Sequence, residues 1–314
     1  MSDVQQLIDA SRLYYELGET QSRVAELLGV TRPQVSRILK RARGEGIVEI
    51  RIVDQAAQTS TAGEELTTRF GLAAVHLASS IRGPEDVARR MIGRLGADVL
   101  RAAVRDGAVV GVGDGSSVSA LADAMDEPVR ETGATVVPLC GGYWFTGPAR
   151  EPFRRVADAI GGVPQGLLAP GLVDDPATKR SLVAHAGIRR ILDLWERLDV
   201  AVFGIGGPAW TSAAFGEAIC RRLEGAGAVG ELLMAPFDVD GRWLRGELQD
   251  RTIAFDVERL ARVAVRIGVA GGPAKVRPIL GALRSGAVTT LVTDVATAEA
   301  VARLASGDGR VEAR

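Results

Sequence analysis

The stretch TQSRVAELLGVTRPQVSRILKR, residues 20–41, decides how the first part of this 314-residue chain is read. Thr20 is a good N-cap, and Val24, Ala25 and Leu28 fall on one face at helical spacing. Ala25 is small, which lets a second helix cross close by. Gly29 stands where the turn between the helices needs a left-handed backbone. Thr31 then caps a second helix, and Gln34 sits at the spacing of a capping box. Pro33 is tolerated in the first turn, where its missing N–H costs nothing.

That second helix has two faces. Val35, Ile38 and Leu39 bury it, while Arg32, Gln34, Ser36, Arg37, Lys40, Arg41 and Arg43 are polar. No acidic residue lies between Glu26 and Glu45, so its positive charge is uncompensated. In a helix-turn-helix the start of the recognition helix reaches base edges and flanking residues hold phosphates. Arg32, Gln34 and Ser36 are therefore assigned to base reading, since Arg suits guanine and Gln suits adenine. Arg37, Lys40, Arg41 and Arg43 are assigned to phosphates, with Gln21 and Ser22 donating to a phosphate from the first helix. A solvated helical hairpin would carry the same charge. The agreement of cap, small residue, turn glycine and apolar spacing favours double-stranded operator DNA as the partner.

After Gly44-Glu45-Gly46 the period switches to alternation, with Ile47, Glu49 and Arg51 against Val48, Ile50 and Ile52. This predicts a short strand, the wing of a winged helix. Upstream, Val4, Leu7, Ile8, Ser11, Leu13 and Tyr14 predict a leading amphipathic helix.

Length suggests more than one domain. The formal net charge of −1 excludes a uniformly basic nucleic-acid coat and makes the basicity local. Arg greatly outnumbers Lys (Lys40, Lys179 and Lys275), which is a compositional bias. Cys140, Cys220, His76 and His185 are scattered, so neither a metal site nor a disulfide framework is expected, and no cofactor. No signal peptide or long apolar run is present, and a cytoplasmic protein without a membrane partner is expected.

Residues 54–61 are small and polar and read as a linker. Helices are expected over 64–70 and 84–105. Apolar strands (108–112, 135–139, 200–205, 265–270, 289–293) then alternate with helices (118–125, 151–160, 177–198, 214–223, 257–261, 274–283, 296–304). This alternation predicts a mostly parallel, doubly wound sheet with helices on both faces. The stretch Asp238-Val239-Asp240-Gly241-Arg242 reads as a turn in an inserted hairpin.

Ligands of such sheets bind outside the carboxyl ends of the strands, where this chain places its glycine-rich loops. Gly111-Val112-Gly113-Asp114-Gly115-Ser116-Ser117 ends a strand and opens a helix, a cradle for an anion or hydroxyl. Cys140-Gly141-Gly142, Gly204-Ile205-Gly206-Gly207 and Gly271-Gly272-Pro273-Ala274-Lys275 end others. Any one of these loops is explained by tight turns alone; their convergence predicts a pocket. Lys275 falls in the first turn of a helix, against the dipole, and so is a candidate ligand contact. The Gly111–Ser116 stretch is not a dinucleotide fingerprint, which needs a third glycine and a downstream acid.

Taken together, these motifs resemble the SorC family of bacterial regulators, also called DeoR-like sugar-binding regulators. The resemblance spans nearly the whole chain. It rests on Leu13-Tyr14-Tyr15, Thr20-Gln21 through Ile50, Val137-Pro138-Leu139-Cys140-Gly141-Gly142, Phe237-Asp238-Val239-Asp240-Gly241, Gly268 through Lys275 and Leu291-Val292-Thr293-Asp294. It implies a winged helix-turn-helix DNA-binding domain at residues 1–53. Residues 54–314 would form an effector-binding and oligomerisation domain similar to sugar-phosphate isomerases. The effector implied is a sugar, sugar phosphate or polyol, and the assembly a homodimer or homotetramer suited to paired half-sites. By motif, Gly113, Gly115, Ser116 and Ser117 would hold the phosphate or terminal hydroxyl, and Asp238 and Lys275 would contact ligand oxygens, beside Gly141 and Gly142.

One departure bears on the ligand. The family usually has an aromatic residue where this chain has Asp114, and Thr where it has Ser116 or Ser117. A carboxylate facing the cradle repels phosphate and favours a neutral polyol or free sugar; pointing outward, it leaves phosphate open. Rival readings are an isomerase-like enzyme with a DNA-binding appendage, using Asp238 and Lys275 for proton shuttling, and a constitutive DNA-binding protein with a purely oligomerising second domain.

Overall fold

A threonine hydroxyl sets the first of the two helices expected from residues 20–41, and the Gln34 side chain the second. The computed structural model describes residues 3–48, 60–80, 83–125, 131–142, 151–207 and 216–307. The chain divides into two compact units, Met1–Asp54 and Gln55–Arg314.

In the first unit, Asp3–Ser11 (α1) runs on into a π-helical turn at Arg12–Glu16. Helix α2 (Gln21–Leu28) starts where the Thr20 hydroxyl accepts the Arg23 N–H at 3.2 Å, and it stops at Gly29 with φ 65°. Helix α3 (Arg32–Gly44) starts at Thr31, whose N–H donates to Gln34 Oε1 at 2.7 Å. Ala10, Val24, Ala25, Val35 and Leu39 close a small core between the three helices. Val4, expected on the buried face of the leading helix, is instead 51% exposed. Residues 49–52 of the expected wing lie outside the described residues, as do residues 54–59 of the expected linker.

The second unit begins with α4 (Ala62–Phe70), β1 (Ala74–Ala78), α5 (Glu85–Ala103), β2 (Val109–Val112) and α6 (Ser116–Asp123). There follow β3 (Thr135–Pro138), α7 (Pro152–Ala159), β4 (Val163–Pro164), α8 (Pro176–Ala184), α9 (Ala186–Trp195) and β5 (Val200–Gly204). The chain continues through α10 (Glu217–Gly225), the antiparallel pair β6 (Ala228–Leu232) and β7 (Ala235–Asp238), and α11 (Glu247–Arg251). It ends with β8 (Val265–Val269), α12 (Val276–Arg284), β9 (Thr290–Asp294) and α13 (Val295–Ala305).

Seven strands form one parallel sheet in the order β1-β9-β8-β5-β2-β3-β4. From β2 the chain winds outward through β3 and β4. From β5, on the other side of β2, it winds outward through β8 and β9. Adjacent residues along each strand feed opposite faces, the signature of a sheet buried on both sides. Val109, Ala201, Phe203 and Leu291 join a core under α4, α9, α12 and α13. Val110, Val202, Val269 and Val292 join another under α5, α6 and α7.

The single helix expected over 177–198 is broken. His185 is extended at ψ 130°, ending α8, and its Nδ1 accepts the Gly187 N–H at 3.2 Å to start α9. An imidazole with a free lone pair thus replaces a continuing turn with an N-cap. The expected turn at 238–242 is present: Gly241 N–H donates to the Asp238 carbonyl at 3.0 Å, and Phe237 bridges Trp243 beyond it. Phe203, fully buried in the central strand β5, predicts the cost of opening this core. Phe203→Ala is expected to destabilise the second unit by about 3–5 kcal/mol, read as a lowered midpoint in thermal or urea unfolding of the full chain.

Candidate functional site

The polar face of α3 is available as the sequence suggests. Arg32, Gln34, Ser36, Arg37, Lys40, Arg41 and Arg43 are all exposed, opposite the buried Val35, Leu39 and Ala42. Their roles in the free protein differ. Arg41 is a structural tie: Nη1 meets Asp3 Oδ2 at 2.5 Å and Nε meets Glu45 Oε1 at 2.5 Å, joining α1 to the end of α3. Gln34 Oε1 is occupied by the cap, so bidentate reading of adenine requires it to leave Thr31. Arg32, Arg37, Lys40 and Arg43 carry no ion pair to any described residue and present unneutralised charge. Ser22 is exposed and Gln21 half-buried in the first turn of α2.

The second site arises from the winding of the sheet. Chains leave β2 and β5 in opposite senses, and the crevice at their carboxyl ends is the position where such sheets bind ligands. The loop after β2 runs along one side. Gly113 extends the ladder, its N–H donating to the Val202 carbonyl at 2.8 Å. Asp114 is partly buried, and its Oδ1 accepts the Gly115 N–H at 2.7 Å. Ser116, exposed, and Ser117, half-buried, open α6. Beyond β3, the Gly141 N–H donates to the Ile253 carbonyl and the Gly142 N–H to the Ala169 carbonyl, each at 2.9 Å. Gly113, Gly141 and Gly142 therefore shape the crevice, and their N–H groups are spent on the protein. Trp195 fixes this end of β3 by donating Nε1–H to the Pro138 carbonyl at 2.9 Å.

Lys275 lies in a 3₁₀ turn, Pro273–Lys275, just ahead of α12. Its Nζ reaches back to donate to the Ile205 carbonyl at 2.9 Å. Burial lowers its pKa, and the negative charges of Glu231 and Glu85 oppose that effect. Glu231, on β6, was missed by sequence reasoning. A Cβ built on Gly206 would lie 2.4 Å from Glu231 Oε1, so the carboxyl is seated directly on that glycine. Glu231 Oε2 accepts the Met234 N–H at 2.6 Å, across the turn that joins β6 to β7. Leu233 and Met234 both have left-handed backbones, φ 49° and 68°, a conformation costing L-residues roughly 1–2 kcal/mol each. Burial of both side chains and the Glu231 bond hold the turn in place. The one available signal was an acid inside the apolar run of residues 226–235.

Burial pushes the Glu231 carboxyl up to about 7, with the Met234 N–H and Lys275 pulling the other way. The same burial, with the charges of Asp114 and Glu231, pushes up the Cys140 thiol and keeps it neutral. Asp114, Cys140, Glu231 and Lys275 thus converge at the crevice. Asp238, expected beside Lys275, does not join them. It pairs with Ala228 at the other end of the hairpin, and its Oδ1 accepts the Asp240 and Arg242 N–H groups, each at 2.9 Å. Its carbonyl packs on Gly281, well along α12 from Lys275.

A cationic helix-turn-helix carried on one chain with a doubly wound unit that gathers polar side chains at its switch point defines a DNA-binding regulator that answers to a small molecule. A family model described as a putative sugar-binding domain matches residues 54–303, and a homeodomain-like model matches residues 2–49. The deoxyribonucleoside regulator of Bacillus subtilis (strain 168) is 31% identical over 94% of this chain and 96% of its own length. The sorbitol operon regulator of Klebsiella pneumoniae is 28% identical over 95% of this chain and 97% of its own. The crystal structure of that full-length regulator, SorC, aligns with a TM-score of 0.73 and 26% identity, covering 96% of this chain and 99% of that one. The chain belongs to the SorC family of sugar-binding transcriptional regulators. Its relatives are regulators, and the enzyme reading falls with that membership. Among the described residues no helix is long and apolar enough to cross a membrane.

Glu231 sets an expected pH dependence. An unfolded Glu titrates near about 4.3, whereas Glu231 holds its proton up to about 7. Through that window the native state binds the extra proton, so stability falls as pH rises and levels off above it. Thermal midpoints taken from pH 5 to pH 8 should drop more for the wild type than for Glu231→Gln, whose neutral amide removes this term.

Proposed function

We propose that this chain is a homo-oligomeric operator-binding regulator of carbohydrate or polyol genes, whose effector occupies the crevice between β2 and β5. The observation that carries the reading is the convergence of Asp114, Glu231 and Lys275 at the point where the winding of the sheet reverses. A carboxylate, a carboxyl group near its neutral pKa and a half-buried ammonium together accept from and donate to hydroxyls. Apolar walls alone could not orient so polar a ligand. Ser116 and Ser117 add hydroxyls at the rim. The names of relatives (a sorbitol operon regulator, an erythritol catabolism regulatory protein, a deoxyribonucleoside regulator) fit a ligand that carries hydroxyl groups.

Arg32 and Ser36 read bases, and Arg37, Lys40 and Arg43 hold phosphates, with Gln21 and Ser22 on the flank. Gln34 contributes once released from its cap. Arg41 acts chiefly by fixing α1 to α3. Paired half-sites about one helical turn apart require at least a dimer. A protein that reads an operator works beside the chromosome, in the cytoplasm. Effector control needs unequal binding to the states of high and low DNA affinity. A coupling of about 2 kcal/mol changes operator affinity roughly thirtyfold.

Lys275→Ala is expected to abolish the response of DNA binding to effector while leaving DNA affinity intact. The measurement is fluorescence anisotropy on a duplex selected by the wild-type protein from a random pool, with sorbitol, erythritol and 2-deoxyribose as probes, each also phosphorylated. Loss of DNA binding by a folded Lys275→Ala protein would assign the lysine a structural role instead. On the same duplex, Arg32→Ala should cost about 1–3 kcal/mol and relax preference at one base position, whereas Lys40→Ala should weaken all duplexes alike and lower the salt slope by about one.

A further inference from the structure

The start of α6 favours an anion. The first turn of a helix leaves its N–H groups unpaired and carries the positive end of the dipole. Here the chain sets a carboxylate against that turn. Asp114 precedes the Gly115 cap of α6, and its Oδ1 accepts the Gly115 N–H at 2.7 Å. Among the described residues Asp114 Oδ2 accepts no hydrogen bond, so it remains an acceptor for a ligand.

Among the described residues, the charges around it disfavour a second anion. The charges of Asp114 and Glu231 both reach the Cys140 thiol, so both carboxyls lie near it. Among the described residues, the cations that act on this corner are Lys275 and Arg89. Lys275 is matched by Glu231 and already donates to the Ile205 carbonyl, and Arg89 donates to Glu85 at 3.0 Å. A phosphate taking the first-turn N–H groups of α6 would lie against the Asp114 carboxylate. A hydroxyl meets the opposite situation, because it donates to Asp114 Oδ2 and accepts from the Ser116 or Ser117 hydroxyl.

We infer that the effector of this chain is uncharged where it meets Asp114: a polyol or a free sugar, and not its phosphate ester. This deepens the functional proposal and rests on it. Asp114 then acts as the selector between the two ligand classes.

The test is isothermal titration and thermal shift of the full-length protein with matched probes: erythritol and erythritol 4-phosphate, sorbitol and sorbitol 6-phosphate, 2-deoxyribose and its 5-phosphate, and inorganic phosphate. At least one neutral probe is expected to bind, with its phosphate ester at least tenfold weaker. Asp114→Asn keeps an acceptor for the Gly115 N–H while removing the charge, so it should fold and shift the ratio at least tenfold toward the phosphate ester. Asp114→Ser serves as a second neutral variant, with the same expectation. Tighter binding of a phosphate ester by the wild type, or a ratio unchanged in folded neutral variants, overturns the inference while leaving the sugar site standing. If no probe of either kind binds either protein, the sugar-site reading itself fails and takes this inference with it.

Discussion

Strands β2 and β5 pair in parallel, Val110 with Val200 and Val112 with Val202, yet their chains depart to opposite sides of the sheet. Two adjacent strand ends whose connections diverge cannot be covered by either connection. The crevice is thus a consequence of winding order, present before any polar residue is chosen. Everything else at the site is arranged about it. Gly113 prolongs the β2–β5 ladder, Trp195 holds the end of β3, and the hairpin β6–β7 leans in from the far side to deliver Glu231.

Glu231 links two scales of structure. Its carboxyl spans a turn whose two residues are both left-handed without being glycine, and the same group faces Lys275. The backbone conformation that costs most in this part of the chain lies beside the charge most sensitive to pH. That arrangement couples local geometry to protonation through a single hydrogen bond.

Features encoded locally were legible in the sequence. The helix-turn-helix could be read from caps, one glycine and a buried stripe, because each signal lies within a turn or two of what it specifies. The central strands announced themselves as apolar runs buried on both faces. Strand β1 was missed because Ala74–Ala78 is short, interrupted by His76 and at the sheet edge; β4 was missed because Val163–Pro164 is barely a strand. The break at His185 is invisible to periodicity, since the apolar spacing runs on through it. Glu231 and Asp238 show the limit most clearly. Both are acids near turns, but one is carried into the crevice by long-range packing and the other is consumed by its own loop, a distinction no local pattern contains.

The glycine turn at Gly141-Gly142 has a consequence for how such a regulator changes over generations. Its amides are bound to the Ile253 and Ala169 carbonyls, so the backbone there offers a ligand shape and little chemistry. Under the proposed function, discrimination falls to exchangeable side chains, foremost Asp114, beside a frame that holds itself together. On that reading a single codon change at Asp114, which holds only its neighbour's amide, would retune the ligand with little disturbance of the scaffold, and the architecture would be easy to reassign from one small-molecule signal to another.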